Sequence, residues 1–572
     1  MYTLLICSKE PNMGGKIIGK IAALEKKPTT IDSFCFWTDK DTLLNPFDVV
    51  VVDHVNDSKT YGVVEEISHI TDSDSFLANF ISNDFGQLDA PAFTDRISMN
   101  YVSVKVVGNT KNIYIPVQNG SKVSLGSKED IQAALGLDEI KNPVVCGYLE
   151  MYGGLDTDKI NLPVYVNSDF LIGPEGAHLN ISGISGLATK TSYAMFLLNA
   201  LQQQTMVEKT KKNVAYIFMN VKGRDLLSID EPTTDLGSDD KAMYESMGLE
   251  KVPFRNVKYF YPYGERGTVK SYVQNDVLER QLKDKQAKKF KFTFKEDKES
   301  LDLLFSNVED PNQTIESIIN FIVSEQAPFD RVDSWEAMLK EVQGMGEKGG
   351  SGNKEISVMS WRKFKRIVRK SVETEKMFND VVDAGKNEVR LEKEIQNIKA
   401  NDVYVVDIAK QDENMQAFVF GSVMQAVVKL KLGEFDEDMT SDQCEQIPDR
   451  IVIFVDELNK YASTDAPKSS PILRLLLDIA ERGRSLGIVL FSAEQFKSAI
   501  HRRVTGNCST HAYGRTNSIE VSDKTYSFVP ATYKNMMTRL KQGHYIIQNP
   551  VFHSLLKIRF PMPLYKQDKG DN

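Results

Sequence analysis

The chain has 572 residues and carries 70 lysines and arginines against 79 aspartates and glutamates, a formal net charge of −9. This length supplies about three to four domain-sized units and a substantial core, and the mildly acidic balance excludes polyanion binding through overall charge, leaving only local basic surface for it. Five scattered cysteines (Cys7, Cys35, Cys146, Cys444 and Cys508) show no paired spacing, which argues against a disulfide framework and a zinc cluster and points to a reducing cytoplasm. MYTLLICSKEPN has no signal pattern and no apolar stretch is long enough for a bilayer, so a soluble protein without membrane attachment is expected.

In chain order, the first 150 or so residues hold short β-type segments separated by turns: IIGKIAAL, PFDVVVV, KTYGVVEEI, YVSVKVVG and NPVVCGYLE. They predict a small β-barrel over 1–160. A short apolar strand over 178–182 then meets a small-residue loop, Lys190, Thr191 and a helical apolar pattern. This is a phosphate-binding loop in chemical terms. Small residues let backbone amides face phosphate oxygens, a lysine supplies charge, a hydroxyl serves magnesium, and the helix N-terminus favours anions. Gly183, Gly186, Lys190 and Thr191 fill those roles, with Ser182, Ser185, Thr189 and Ser192 keeping the loop small. The fit to GxxxxGK[ST] is imperfect: Gly183 precedes Lys190 by one residue too many, and Thr189 stands where a glycine is expected. These departures bear on turnover rather than fold. A Gly/Ser turn that merely starts a helix is the plainer alternative.

Strand-like and helical segments then alternate through VAYIFMN, VKYFYPY, DVYVVDI, IVIFVDE, GIVLFSAEQ, THAYGR, GHYIIQN and LLKIRF. Such alternation predicts a doubly wound, largely parallel sheet over 161–572. From about 270 to 400 the pattern gives way to charged helical sequence, which reads as an insertion. Within it, QLKDKQAKKFKFTFKEDK is lysine-rich with interleaved aromatics. SWRKFKRIVRKSVE places Trp361, Phe364, Ile367 and Val368 at helical spacing opposite Lys365, Arg366 and Arg369. That basic face suits salt-sensitive contact with a phosphate backbone; a solvated face packed on its apolar side is the plainer alternative. GMGEKGGSGNK reads as a flexible connector.

IVIFVDE is an apolar run that stops in two carboxylates. At the carboxyl end of a buried parallel strand, Asp456 could hold magnesium through water and Glu457 could polarise an attacking water; an ordinary strand entering an acidic loop is the alternative. Gln495, after GIVLFSAE, is placed to sense a terminal phosphate or orient water. Arg484, like Arg482, lies in the helix-to-strand connection ERGRSLG, and Arg515 ends THAYGR; each is a candidate arginine finger.

The glycine-serine loop, FVDELNKYA, ERGRSLGIVLFSAEQ and LKQGHYIIQNPVFHSLLKIRFP together resemble the HerA-type DNA-translocating ATPases of the FtsK-HerA superfamily. The resemblance implies an N-terminal β-barrel, a RecA-like P-loop core, ATP and Mg2+ as cofactors, and a homo-hexameric ring around double-stranded DNA. It further implies an effector protein, a nuclease or an NAD-consuming enzyme, docked on the barrel, in DNA end processing or anti-phage defence. Carried over by residue, Lys190 binds phosphate, Thr191 and Asp456 magnesium, Glu457 activates water, Gln495 senses phosphate and Arg482 belongs to the RxGR element. Ala177 stands before His178 where family members often carry an arginine. The altered loop keeps a second reading open: an ATP-binding ring scaffold that regulates an effector with little motor activity. A conjugation-type or packaging ATPase shares the same core, and the missing membrane segment counts against it.

Overall fold

The computed structural model describes residues 15–567, apart from 83, 87, 88, 90–95, 155–158, 185–189, 208–212, 348–355 and 435–445. The chain forms two compact units, residues 1–167 with 517–559, and residues 168–516 with 560–572. Residues 517–559, expected in the second domain, cluster with the first unit instead.

The first unit opens with a closed antiparallel barrel of six strands: β1 (Ile17–Ile21), β2 (Ser33–Thr38), β3 (Val49–His54), β4 (Ser58–Thr71), β5 (Ser98–Asn109) and β6 (Lys122–Leu125), in the order β1-β2-β5-β4-β3-β6. Alternation fills its interior with Phe34, Phe36, Val50, Val52, Val102 and Val104. NPVVCGYLE, expected among the barrel strands, lies outside it: β7 (Pro143–Met151) pairs antiparallel with β8 (Ile160–Asn167). Closure uses SFCFWT and KVSL instead, the latter too short to stand out as a strand.

The second unit is a sheet of nine parallel strands: β9 (Leu179–Ser182), β10 (Val214–Asn220), β11 (Val257–Pro262), β12 (Ala287–Lys291), β13 (Glu388–Arg390), β14 (Val403–Asp407), β15 (Arg450–Asp456), β16 (Ile488–Glu494) and β17 (Thr510–Tyr513). Their order is β13-β12-β11-β14-β10-β15-β16-β9-β17. The strand entering the phosphate loop, β9, is separated from the Asp-Glu strand, β15, by β16 alone, the arrangement of a RecA-like α/β core. β9, β10, β14 and β16 are buried along their whole length, as expected for central strands covered on both faces. The covering helices Lys190–Val207 and Glu413–Leu432 are apolar around most of their circumference and lie in the core.

The insertion expected to be mainly helical over about 270–400 includes two short strands, β12 and β13. Most of its helices lie between them and pack through Trp335, Trp361, Phe364 and Val368 into the core shared with the helix Glu413–Leu432. The lysine-rich AKKFK is therefore strand β12. Its Lys291 is buried against Glu388 at 2.5 Å, and Lys289 donates to the Gly267 carbonyl.

Residues 517–559 bring β18 (His544–Gln548) and β19 (Leu556–Arg559), which extend β7 and β8 into an antiparallel sheet ordered β18-β19-β7-β8. Tyr533 ties this segment to the barrel: its ring stacks on Phe47 at 3.8 Å, and its hydroxyl donates to the Val64 carbonyl.

Candidate active site

The carboxyl ends of β9, β10, β15 and β16 converge on one group of charged side chains. β9 ends at Ser182, and the Gly183 amide donates to the Glu494 carbonyl while that of Ile184 donates to the Arg515 carbonyl. A Cβ on Gly183 would lie 3.2 Å from the Arg515 oxygen and 3.3 Å from Gly514 Cα, so a side chain there would crowd the neighbouring backbone. Ser185, Gly186 and Thr189 lie outside the described residues. The helix Lys190–Val207 begins immediately after them, with Lys190 buried.

β15 delivers the two carboxylates. Asp456 is its last residue, and Glu457 follows at φ +60°, a left-handed turn that breaks strand alternation and lets both acids meet the start of the helix Lys190–Val207. The Glu457 amide is held by the Ala493 carbonyl at 2.7 Å. Thr191 donates from Oγ1 to Asp456 Oδ2 at 3.2 Å, and Lys190 Nζ lies 3.5 Å from Glu457 Oε1. Burial opposes the charge on Glu457, but Lys190 and Lys222 outweigh it and hold the carboxyl below its ordinary value. The Lys190, Thr191, Asp456 and Glu457 predicted from two motifs 265 residues apart are thus one constellation. Ser192 joins its margin, accepting from Gln567 Nε2 at 3.2 Å.

These residues fit a magnesium-bound nucleotide. Asp456 Oδ1 is buried and makes no hydrogen bond among the described residues, while Oδ2 shares the Thr191 hydroxyl. Two hard oxygen donors suit Mg2+, which takes its other positions from water and phosphate. Among the described residues no cluster of three or more His, Cys, Asp or Glu side chains forms a metal cage, and a phosphate-bridged Mg2+ needs none.

Three participants were given no role by the sequence reading. Lys222, two residues beyond β10, reaches Glu457 Oε1 at 2.9 Å and Asp456 Oδ2 at 3.3 Å. Burial disfavours its charge, but Asp456 and Glu457 outweigh that and keep the ammonium above its ordinary range. Glu494 ends β16 completely buried; its carboxyl accepts from Asn180 on β9 and is pushed up to about 8 by burial. His178 is buried at φ +68°, its Nδ1 accepts from the Leu490 amide at 2.9 Å, and burial lowers it to about 4. It is a neutral structural link between β9 and β16.

Of the other predicted residues, Gln495 is half-buried directly after β16. Arg482 is exposed and paired with Asp478 at 3.0 Å on its own helix, Pro471–Leu486. Arg484 donates to the Glu175 carbonyl at 3.0 Å. Arg515 is exposed, and its main chain, rather than its guanidinium, is what meets Ile184. The helix Val358–Thr374 is amphipathic as predicted, burying Trp361, Phe364, Val368 and Val372. Its basic face is mixed with acid: Arg369 pairs with Glu373 at 2.8 Å, and Lys365 and Arg369 border a cleft that also holds Glu336, Glu347 and Asp380. Arg366 is exposed on that face. The GMGEKGGSGNK connector lies mostly outside the described residues.

No family model and no curated protein matches the chain. Among solved structures it is similar to the bacterial conjugative coupling protein TrwBdeltaN70 in its unbound form, with 9% identity over 71% of this chain and 89% of that one and a TM-score of 0.39. The plasmid coupling protein TrwB in complex with ADP and Mg2+ gives 11% identity, the same coverage and a TM-score of 0.40. The genome packaging NTPase B204 from Sulfolobus turreted icosahedral virus 2, in complex with ATP-gammaS, gives 17% identity over 30% of this chain and 73% of that one, with a TM-score of 0.22. Likeness at this level leaves the chemistry to be argued from the site's own residues. No helix among the described residues is long and apolar enough to cross a membrane.

Proposed function

We propose that this protein is an ATPase that hydrolyses ATP with Mg2+ at the site built by Lys190, Thr191, Asp456 and Glu457. The observation that carries the reading is the meeting of a lysine and a hydroxyl at a helix N-terminus with an Asp-Glu pair at the end of a buried strand. Bound Mg2+ supplies charge neutralisation at the phosphates. Lys190 holds phosphate charge, Thr191 and Asp456 orient the donor oxygens, and Glu457, kept ionised by its lysines, accepts a proton from the attacking water. Gln495 is assigned to sensing the terminal phosphate, and Arg482, Arg484 or Arg515 to stabilising phosphoryl charge across a subunit contact.

The resemblance to HerA-type ATPases extends this reading to a homo-hexamer that moves along duplex DNA with an effector protein on the barrel. Lys365, Arg366 and Arg369 offer cations for a phosphate backbone, though their acidic neighbours weaken that part of the reading. The scaffold reading keeps one observation in its favour: Glu457 Oε1 already lies within 3.5 Å of Lys190 and 2.9 Å of Lys222, so its charge is compensated before any nucleotide arrives. Binding of a fluorescent ATP analogue tests the site. Lys190→Ala should weaken it at least about tenfold, the value of a charge-assisted phosphate contact, and Glu457→Gln should retain it. Equal affinity in wild type and Lys190→Ala would refute the assignment. A scaffold would keep its partner's activity in Glu457→Gln, whereas a motor would lose it.

A further inference from the structure

We propose that Lys222 is a positioning residue that holds Asp456 and Glu457 in place before nucleotide binds and competes with the divalent cation for Asp456. The inference rests on the nucleotide-site reading above. Three observations carry it. The turn that presents Lys222 is fixed from below: Asn220 Nδ2 donates to the Gly223 carbonyl at 3.2 Å and to Asp407 Oδ1 at 2.7 Å, and Gly223 takes φ +62°. The ammonium bridges both carboxylates, at 2.9 Å from Glu457 and 3.3 Å from Asp456 Oδ2. That second oxygen is the one the Thr191 hydroxyl also meets, so the cation of Lys222 stands on one oxygen of the carboxylate assigned to magnesium.

The partners differ in their freedom to move. Asp456 and Glu457 are buried, whereas the Lys222 side chain is 43% exposed, so the lysine can leave into water at little desolvation cost while the acids stay. Two carboxylates this close repel each other when both are ionised. Lys222 relieves that repulsion, a role that a divalent cation would supply when bound. The turn around Lys222 sits on β10, the direct neighbour of β15, so no domain movement is needed for the exchange.

The test is the Mg2+ concentration that half-saturates binding of a fluorescent ADP analogue to the full chain, in wild type, Lys222→Met and Lys222→Arg. Competition predicts that Lys222→Met lowers it about two- to fivefold, the range for removing a partly exposed ion pair, and that Lys222→Arg stays near wild type. An unchanged or raised value in Lys222→Met overturns the inference, the raised value marking Lys222 as a phosphate ligand instead. Wild-type protein that binds no nucleotide at any Mg2+ concentration overturns the nucleotide-site reading and this inference together. Thermal unfolding of each variant verifies that the fold is retained.

Discussion

Glu494 shows how far this sheet departs from water at its carboxyl edge. Burial raises its carboxyl from 4.5 to about 8, against the pull of the Asn180 hydrogen bond, Lys190 and Lys497. At neutral pH the folded chain therefore keeps a proton that the unfolded chain has released. Between the unfolded value and about 8 the folded state binds more protons, so stability falls as pH rises through that window and levels off above it. Glu494→Gln, which needs no proton, should remove this slope. Urea denaturation from pH 5 to 9 should show wild type losing on the order of 1–3 kcal/mol relative to the variant, whereas parallel profiles would contradict the burial argument. At this scale Lys190, Thr191, Asp456 and Glu457 were legible because each belongs to a local pattern with a chemical reason for its spacing. Lys222 was not, since a lysine after an apolar strand is common. Only the adjacency of β10 and β15 brings it to the acids.

Among the elements, the long apolar strands were legible and the short edge strands were not. β15 and β16 announce themselves as continuous apolar runs, but AKKFK and EVR carry too little apolar content to compete with a helical reading of their surroundings. They become strands because parallel neighbours supply their hydrogen bonds. Arg482 and Arg484, expected in a helix-to-strand connection, lie on the helix Pro471–Leu486 itself, which runs on to Gly487 with φ +79°, where the amide returns to the Arg484 carbonyl. A Cβ there would lie 2.2 Å from the Asp449 carbonyl oxygen. Gly487→Ala should accordingly cost about 2 kcal/mol or more, from the left-handed backbone and the clash together. Thermal unfolding would measure it, and a variant within experimental error of wild type would contradict this close approach. The phosphate-loop and Asp-Glu strands tolerate no such change in their order, because one intervening strand, β16, sets the distance between lysine and acids.

For the whole molecule, the barrel was legible as a class but not strand by strand. Its second and sixth strands are too short or too irregular in pattern to stand out, and NPVVCGYLE, a good strand by composition, pairs elsewhere. Between β4 and β5 the first unit exposes Phe76, Leu77, Phe80, Phe85 and Ile97, with Phe76 97% and Ile97 81% accessible. Grouped apolar side chains in water mark interaction surfaces, and the effector proposed above would find such a surface here. Serine at Phe76, Leu77, Phe80 and Phe85 together should leave nucleotide binding intact and abolish co-purification of the partner. A partner retained by that variant would place the dock elsewhere.

We propose that Lys190 and Glu457 serve one hydrolytic site coupled to DNA. It is tested most directly by steady-state ATP hydrolysis of wild type, Lys190→Ala and Glu457→Gln, with and without linear duplex DNA. The account predicts wild-type turnover that rises with DNA and falls at least about a hundredfold in both variants, the usual effect of removing a general base or a phosphate-charge ligand. Turnover that survives in Lys190→Ala, or wild-type protein that binds nucleotide without hydrolysing it, would contradict the account.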